Sequence, residues 1–217
     1  MVLMFLALLL APQAQGTIEG RIRFEGTPPA LPDHQVTRDH DYCGHHKPNE
    51  TILVSNGGLA NVVLSIENAP KTMAPPREIV VANEKCRFAP HVSAATVGSA
   101  LVVKNSDPIL HNTHVYLSDQ STMFNIAFPR KDFQIKRPLP KPDILSFKCD
   151  VGHVWMSAYV HVFAHPFFAV SDTIGNFKIE GLPPGQYILK AWHEKLGIQT
   201  QRVNVGTGTT RAEFRFK

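Results

Sequence analysis

The stretch Phe147-Lys-Cys-Asp-Val-Gly-His-Val-Trp-Met156 places a thiol, an imidazole and a thioether within a few residues of one another. The residues before it alternate between apolar and polar, so the Cys149 sulfur should point inward from the end of a strand. His153 and Met156 follow on a loop that can turn back toward that sulfur. All three residue types are ligands of transition metals. The stretch therefore predicts a metal loop at the end of a β-strand.

A further ligand must come from another part of the chain. The stretch Asn105-Ser-Asp-Pro-Ile-Leu-His-Asn112 offers His111 just beyond a predicted strand. Two imidazoles, one thiolate and a weak axial thioether form a trigonal copper site. Zinc also accepts Cys and His, but Met is a poor zinc ligand. We therefore expect one mononuclear copper ion, bound by His111, Cys149, His153 and, more weakly, Met156.

The rest of the chain predicts an all-β protein. Short runs of β-branched and aromatic residues are separated by Gly, Pro, Asn and Asp, and no helical stripe is sustained. Segments 26–49 and 118–142 are expected to be irregular. Evenly spaced short strands are typical of β-sandwiches. The predicted strands are 17–25, 52–54, 60–67, 78–82, 92–96, 100–105, 114–117, 144–149, 158–163, 167–170, 175–179, 186–192, 201–205 and 212–216.

Charge and the N-terminal segment bear on partners and location. The net charge is only +4 and Lys and Arg are scattered, so no nucleic-acid partner is expected.

The apolar run 1–11 is shorter than the about 20 residues that span a bilayer, and it fits a signal peptide cleaved near residues 14–16. Because it has no Lys or Arg before it, a buried N-terminal segment is the alternative. We expect a periplasmic or secreted protein without a membrane span.

The chain has three cysteines. In an oxidising compartment, an odd number favours one disulfide and one thiol with another role. With Cys149 assigned to the metal, Cys43 and Cys86 are expected to pair. Three separate buried thiols are the alternative.

The metal motif resembles that of the cupredoxin (plastocyanin-like, type 1 blue copper) family. The likeness spans about residues 78–163 and rests on His111-Asn112 followed by Cys-x₃-His-x₂-Met. It implies a Greek-key β-sandwich with a type 1-like copper that passes one electron between transient protein partners. Asn112 is expected to pin the two metal loops together, and His91 to buttress the site. Gly152 is an addition to the usual loop, and we interpret it as a small bulge.

The flanking segments resemble a second family, the carboxypeptidase regulatory-like (transthyretin-like) sandwich. The likeness rests on the turn Asp172-Thr-Ile-Gly-Asn-Phe177, the strand start Pro184-Gly-Gln-Tyr187, and opening patterns at 16–24 and 60–66. It implies that the copper domain is inserted into an immunoglobulin/transthyretin-like β-sandwich, with two sequential domains as the alternative. The expected division is signal peptide 1–16, first half 17–76, copper domain 77–164 and second half 165–217.

No catalytic motif is evident, so we expect no enzyme: Gly-x-Ser-x-Gly, phosphate-loop and dinucleotide patterns are absent from the sequence. A catalytic role for Cys149 as a nucleophile paired with His153 would leave the presence of His111 and Met156 unexplained. Two alternatives to electron transfer stay open, namely copper storage or delivery without redox turnover, and a β-sandwich interaction module without metal.

Other residues receive smaller roles. His153 is expected to lie nearest solvent and to be the electron port, beside a docking patch of Val154 and Trp155. His114 should face away from the metal by strand parity. The remaining histidines near Cys43 are expected in a solvated loop, and they are His40, His45 and His46.

Overall fold

The computed structural model describes residues 14–217, so most of the predicted signal peptide lies outside the described residues. The prediction of an all-β fold is confirmed. The first elements are β1 (Gly16–Phe24), β2 (His34–Gln35), α1 (His40–Cys43), β3 (His46–Lys47), β4 (Val54–Ser55), β5 (Gly58–Leu59), β6 (Val63–Ile66), β7 (Glu78–Glu84), β8 (Arg87–Ala89), β9 (Val92–Thr96) and β10 (Ala100–Asn105). The others are β11 (His111–Tyr116), β12 (Thr122–Phe128), β13 (Gln134–Pro138), β14 (Asp143–Lys148), β15 (Ser157–Phe163), β16 (Phe168–Val170), β17 (Asn176–Leu182), β18 (Gly185–His193), β19 (Gly197–Val205) and β20 (Thr209–Phe216).

Two sheets from the middle of the chain form one sandwich, which we call the metal sandwich. Their strand orders are β13-β10-β7-β8 and β12-β11-β14-β15-β9. Period-two alternation directs one face of each sheet into a shared apolar core. That core includes Val81, Leu101, Val103, Val115, Leu145, Phe147 and Val160.

Two further sheets form a second sandwich, which we call the flanking sandwich. One has the order β17-β1-β5-β4 with β20 also paired to β1, and the other has the order β16-β6-β18-β19. β1 pairs with β20 in parallel from Thr17↔Thr209 to Phe24↔Phe216. The chain therefore leaves this sandwich after β6 and returns to it at β16. Its core includes Ile18, Ile22, Leu64, Ile66, Phe177, Ile179, Leu189 and Phe214.

The two segments expected to be irregular contain regular structure. Segment 118–142 forms β12 and β13, so that expectation was wrong. Both are edge strands of their sheets, and their half-exposed, partly basic sequences resemble loops because an edge strand faces solvent on one side. Segment 26–49 holds β2, α1 and β3.

We call residues 34–47 the cap, because this segment lies against the metal sandwich. β2 and β3 pair as a short antiparallel ladder, and α1 lies between them. Val36 and Cys43 belong to the metal sandwich core. The expected disulfide is present, with the sulfurs of Cys43 and Cys86 2.03 Å apart and both residues buried. Cys149 is left as a free, buried thiol.

Side chains also connect the two sandwiches away from the cap. His91 pairs with Glu194, and both side chains are about nine-tenths buried. The rings of Tyr159 and Trp192 lie 5.3 Å apart, and those of His161 and Trp192 lie 4.3 Å apart. The aromatic cluster thus joins β15 to β18, and the polar pair joins the residue before β9 to the residue after β18.

No helix in residues 14–217 has the length and hydropathy needed for a bilayer span.

Candidate metal centre

Two strand ends and one loop bring the predicted ligands together. His111 is the first residue of β11, and Cys149 directly follows β14, which pairs with β11. His153 lies in the loop between β14 and β15. The ligand atoms of these three residues all lie within 4.8 Å of one another, and all three residues are buried. Strand pairing therefore fixes two ligands, and the loop brings in the third.

The two imidazoles approach each other through the same ring nitrogen. His111 Nδ1 lies 3.1 Å from His153 Nδ1, and the latter lies 3.6 Å from Cys149 Sγ. Neither histidine has any exposed surface, and Cys149 is only 3% exposed. The three atoms therefore face one point that is closed to bulk water.

The opposite nitrogen of each imidazole faces a carboxylate. His111 Nε2 lies 2.9 Å from Asp107 Oδ2, and both side chains are fully buried. His153 Nε2 lies 2.8 Å from Asp39 Oδ2, which belongs to the cap. A carboxylate accepts but does not donate, so each Nε2 carries the proton.

The proton positions decide what can occupy the centre. With both Nε2 atoms donating, the Nδ1 lone pairs of His111 and His153 point toward each other beside the Cys149 sulfur. Such an arrangement is repulsive unless a cation, either a proton or a metal ion, lies between them. Two imidazole nitrogens and a thiolate are the donors that copper and zinc prefer. The donor set therefore fits a soft or borderline metal ion.

The surroundings of Cys149 favour its thiolate. The backbone N–H of Asn112 lies 3.4 Å from Cys149 Sγ and donates to it. Burial raises the pKa of the thiol, but the imidazoles of His111 and His153, which share a proton when no metal is bound, and that N–H outweigh burial and lower the pKa to about 6. The thiolate is the form that binds metals.

Asp107 is held as an anion by groups from three segments. Besides His111, it accepts hydrogen bonds from the backbone N–H groups of Lys85 and Cys86, at 2.7 and 2.8 Å. The Tyr42 hydroxyl of the cap donates a third at 2.9 Å. Burial raises the pKa of Asp107, but these donors prevail and lower it to about 2. Asp107 keeps its charge beside His111 and raises the pKa of that imidazole against the effect of burial.

Met156, the predicted weak axial ligand, is buried close to Cys149 in the sequence and in the core. It is 1% exposed and belongs to the same apolar cluster as Cys149. Its backbone N–H donates to the carbonyl oxygen of His153 over 3.0 Å, which turns the loop back toward β15. The thioether is therefore enclosed with the other predicted ligands.

The two residues expected to support the site differ in what they contact. Asn112 Oδ1 accepts from the backbone N–H of Asp150 at 3.2 Å, so it joins β11 to the metal loop as expected. His91 Nδ1 donates to the carbonyl oxygen of Ser157 at 3.0 Å, and its Nε2 pairs with Glu194. Both nitrogens of His91 face acceptors, so neither offers a lone pair to a metal. Hydrogen bonding to Glu194 outweighs burial and raises the pKa of His91.

The expectation that His153 lies nearest solvent was wrong. The cap covers this imidazole completely, because Thr37 Oγ1 donates to Gly152 O at 3.2 Å and Arg38 donates to Val151 O at 3.0 Å. Gly152 has a φ of +98°, and a Cβ there would lie 3.2 Å from Arg38 Cδ. Glycine at this position therefore permits both the bend of the loop and the approach of the cap.

Of the two residues expected to form the docking patch, only Val154 is exposed. Val154 is 74% exposed, whereas Trp155 is buried at 7%. The indole ring packs edge-on against His153, with 5.2 Å between ring centroids. Trp155 is therefore part of the wall of the site.

The other histidines lie outside the ligand cluster. His114 turns to the opposite side of β11, as expected, and contacts Asp150 Oδ2 at 2.7 Å. His40 and His45 are exposed on the cap, and their rings stack with 5.1 Å between centroids.

Sequence reasoning missed both carboxylates. Asp107 stands four residues before His111, between a strand end and a ligand, and that position was a usable signal. Asp39 lies far from every ligand in the sequence, and only the folded cap brings it to His153.

No family model matches the chain, and no curated protein matches it. Among solved structures, the chain is similar to a purple cupredoxin from Nitrosopumilus maritimus, with 17% identity and a TM-score of 0.34 over 40% of this chain and 98% of that one. It is also similar to the reduced state of an amicyanin mutant, with 16% identity and a TM-score of 0.35 over 46% and 97%. A copper-containing nitrite reductase from Thermus scotoductus shows 18% identity and a TM-score of 0.33 over 44% of this chain and 24% of its own. At these scores the assignment of function depends on the site itself.

Proposed function

We propose that this chain is an exported, mononuclear copper protein of cupredoxin type that carries single electrons between protein partners. The observation that carries the proposal is the convergence of two Nδ1 lone pairs on one buried thiol. His111, Cys149 and His153 would hold the metal, with Met156 as the weaker axial ligand. Copper in such a site cycles between Cu(II) and Cu(I).

The protein's own contribution is a rigid, dry ligand set. Paired strands fix His111 and Cys149, and Asp107 fixes the ring orientation of His111. Burial excludes water as an additional ligand. A site that cannot rearrange accepts and releases an electron with little change in structure, which suits a carrier. We propose no catalytic turnover for this chain.

The remaining parts of the proposal concern location and organisation. A buried disulfide is typical of a protein that folds in an oxidising compartment, which supports a periplasmic or secreted location. The strands of the flanking sandwich come from the sequence before the metal sandwich and from the sequence after it. This supports the insertion of residues 77–164 between 17–76 and 165–217. We assign the flanking sandwich a regulatory-like architecture and a role in protein contact.

A metal titration tests the function. Metal-free protein should bind one Cu(II) and develop a strong visible charge-transfer absorption that disappears on reduction. Cys149→Ser should abolish the absorption, whereas Val154→Ala, an exposed change on the same loop, should retain it. Preference for Zn(II) over both copper ions, or no metal binding at all, would contradict the proposal.

Copper storage or delivery is the second candidate, and the cap favours it. A carrier commonly needs a ligand near its surface, whereas here His153 has no exposed surface. Tight Cu(I) binding without a stable Cu(II) form would support this candidate. Reversible one-electron voltammetry with unchanged copper content would support electron transfer.

A further inference from the structure

We propose that Asp39, on the cap, is a positioning residue of the metal centre that fixes the His153 tautomer and favours Cu(II) over Cu(I). This inference rests on the proposed function. Its geometric basis is the 2.8 Å contact from Asp39 Oδ2 to His153 Nε2. A metal-ligating histidine is oriented by the acceptor of its other N–H, and a carboxylate is the strongest such acceptor.

The backbone of the cap delivers Asp39 to this position. Asp39 has φ 56° and ψ 40°, the left-handed region, and it immediately precedes α1. Among side-chain-bearing residues, Asp and Asn adopt this region most readily. The backbone carbonyl of Asp39 accepts from the N–H of Cys43 at 2.8 Å, which closes a turn against the disulfide. The carboxylate is thus directed by a local turn that is anchored covalently to the metal sandwich.

Three consecutive cap residues contact three consecutive residues of the metal loop. Thr37 contacts Gly152, Arg38 contacts Val151, and Asp39 contacts His153. A single hydrogen bond could form by chance, but three contacts between adjacent residues, together with a covalent anchor, indicate a built interface. The cap is therefore a component of the metal centre.

Charge gives Asp39 a role beyond orientation. Together with Asp107, it places a carboxylate behind each imidazole, and Asp107 is fully buried. Negative charge behind both ligands makes the imidazoles better donors and stabilises the more highly charged metal ion. Arg38 Nε lies 3.4 Å from Asp39 Oδ2 and offsets part of this effect, although Arg38 is largely exposed and screened by water.

Two substitutions separate orientation from charge. Asp39→Asn keeps the left-handed backbone and an acceptor oxygen but removes the charge. Asp39→Gly keeps the backbone and removes the acceptor as well. Asp41→Asn makes the same charge change on an exposed residue of α1 and is the matched control.

The first readout needs no metal. Long-range ¹H–¹⁵N correlation spectra of metal-free protein should show the His153 proton on Nε2 in the wild type, Asp39→Asn and Asp41→Asn. In Asp39→Gly that preference should be lost. A wild-type His153 whose Nε2 carries no proton, or an Nε2 proton that persists unchanged in Asp39→Gly, would overturn the positioning role.

The second readout is the reduction potential of the copper form. Asp39→Asn should shift the ratio of Cu(II) to Cu(I) affinity roughly tenfold toward Cu(I), the lower end of effects from such partners. For a one-electron couple that is a rise of about 59 mV. A potential equal to that of Asp41→Asn would overturn the charge role while leaving copper binding intact. If the wild type binds no copper, the proposed function fails, and the metal-free spectra alone decide the role of Asp39.

Discussion

The indole Nε1 of Trp155 donates a hydrogen bond of 2.8 Å to the carbonyl oxygen of Cys86. It joins the metal loop to the cysteine that anchors the cap, and it does so inside the core. Trp155→Phe should leave that carbonyl without its partner and lower the free energy of unfolding by about 1–3 kcal/mol. Urea denaturation of metal-free protein measures the change. Val154→Ala, its exposed neighbour, should change little, and equal effects of the two substitutions would contradict the prediction.

Removing the disulfide should strongly destabilise the protein. Cys43 and Cys86 close a loop with a sequence separation of 43 residues. Chain entropy then predicts a loss of about 4 kcal/mol for the Cys43→Ala/Cys86→Ala variant. Denaturant midpoints of this variant and of the wild type, with and without reductant, measure the loss. A loss below about 1 kcal/mol would mean that the cap is held by its other contacts.

Gly152→Ala should loosen the cap. Its φ of +98° is unfavourable for alanine, and the new Cβ would displace Arg38. We expect a loss of about 1–3 kcal/mol and faster hydrogen exchange of the Val36 and Gly44 amides. Gly98→Ala is the matched control, because Gly98 has φ +86° and a Cβ added there would come no closer than 3.5 Å to its nearest neighbour, Pro76. Equal exchange rates in the two variants would contradict a cap effect.

Stability should decrease as the solution is acidified, in part because of His161. Burial lowers the pKa of His161 to about 4, with Lys190 as the nearby charge that adds to the effect. Below about pH 6.5, His161 therefore binds a proton in the unfolded chain but stays neutral in the folded chain. The free energy of unfolding falls as the pH drops from about 6.5 toward 4.

A difference measurement isolates the contribution of His161. Between pH 7.5 and pH 5, this residue alone should account for a loss of about 2 kcal/mol. His161→Phe should remove that part, and the contribution of His193, whose pKa burial also lowers to about 4, should remain in both proteins. Parallel stability curves for the wild type and the variant would contradict this assignment.

A chain ending after Phe163 tests the inserted arrangement. It lacks β17 and β20, two of the three strands that pair with β1, and β16 and β18, which pair with β6. We expect β1 and β6 to lose protection from hydrogen exchange, while β10 and β14 keep theirs. Continued protection of β1 would favour two sequential domains.

Local pattern predicted much of the fold. Strands 92–96 and 100–105 have the predicted bounds because each is a short, largely apolar run bounded by turn residues. Edge strands β12 and β13 were missed, since half of each faces solvent and period-two alternation is weak there. Whether a strand lies at the edge of a sheet depends on its pairing with distant segments, and a short stretch of sequence does not reveal that pairing.

The sequence likewise indicated some residues of the candidate site and not others. His111, Cys149 and His153 could be named from the sequence because their residue types are those of metal ligands, and the structure brings them together because strand ends meet across a ladder. The cap was not found, because Asp39 looks like any acidic loop residue. The expected Cys43–Cys86 pairing already implied that residue 43 lies beside the metal sandwich, and extending that constraint by four residues would have brought Asp39 to the metal loop.

The parallel pairing of β1 with β20 sets an order of events during synthesis. The ribosome delivers every strand of the metal sandwich before residues 209–216 exist, so that sandwich can close while the partner of β1 is still missing. Until then the apolar face of β1 has no permanent cover, and a nascent chain in that state needs a holding factor or rapid completion. The flanking sandwich therefore cannot be completed before residues 209–216 are available.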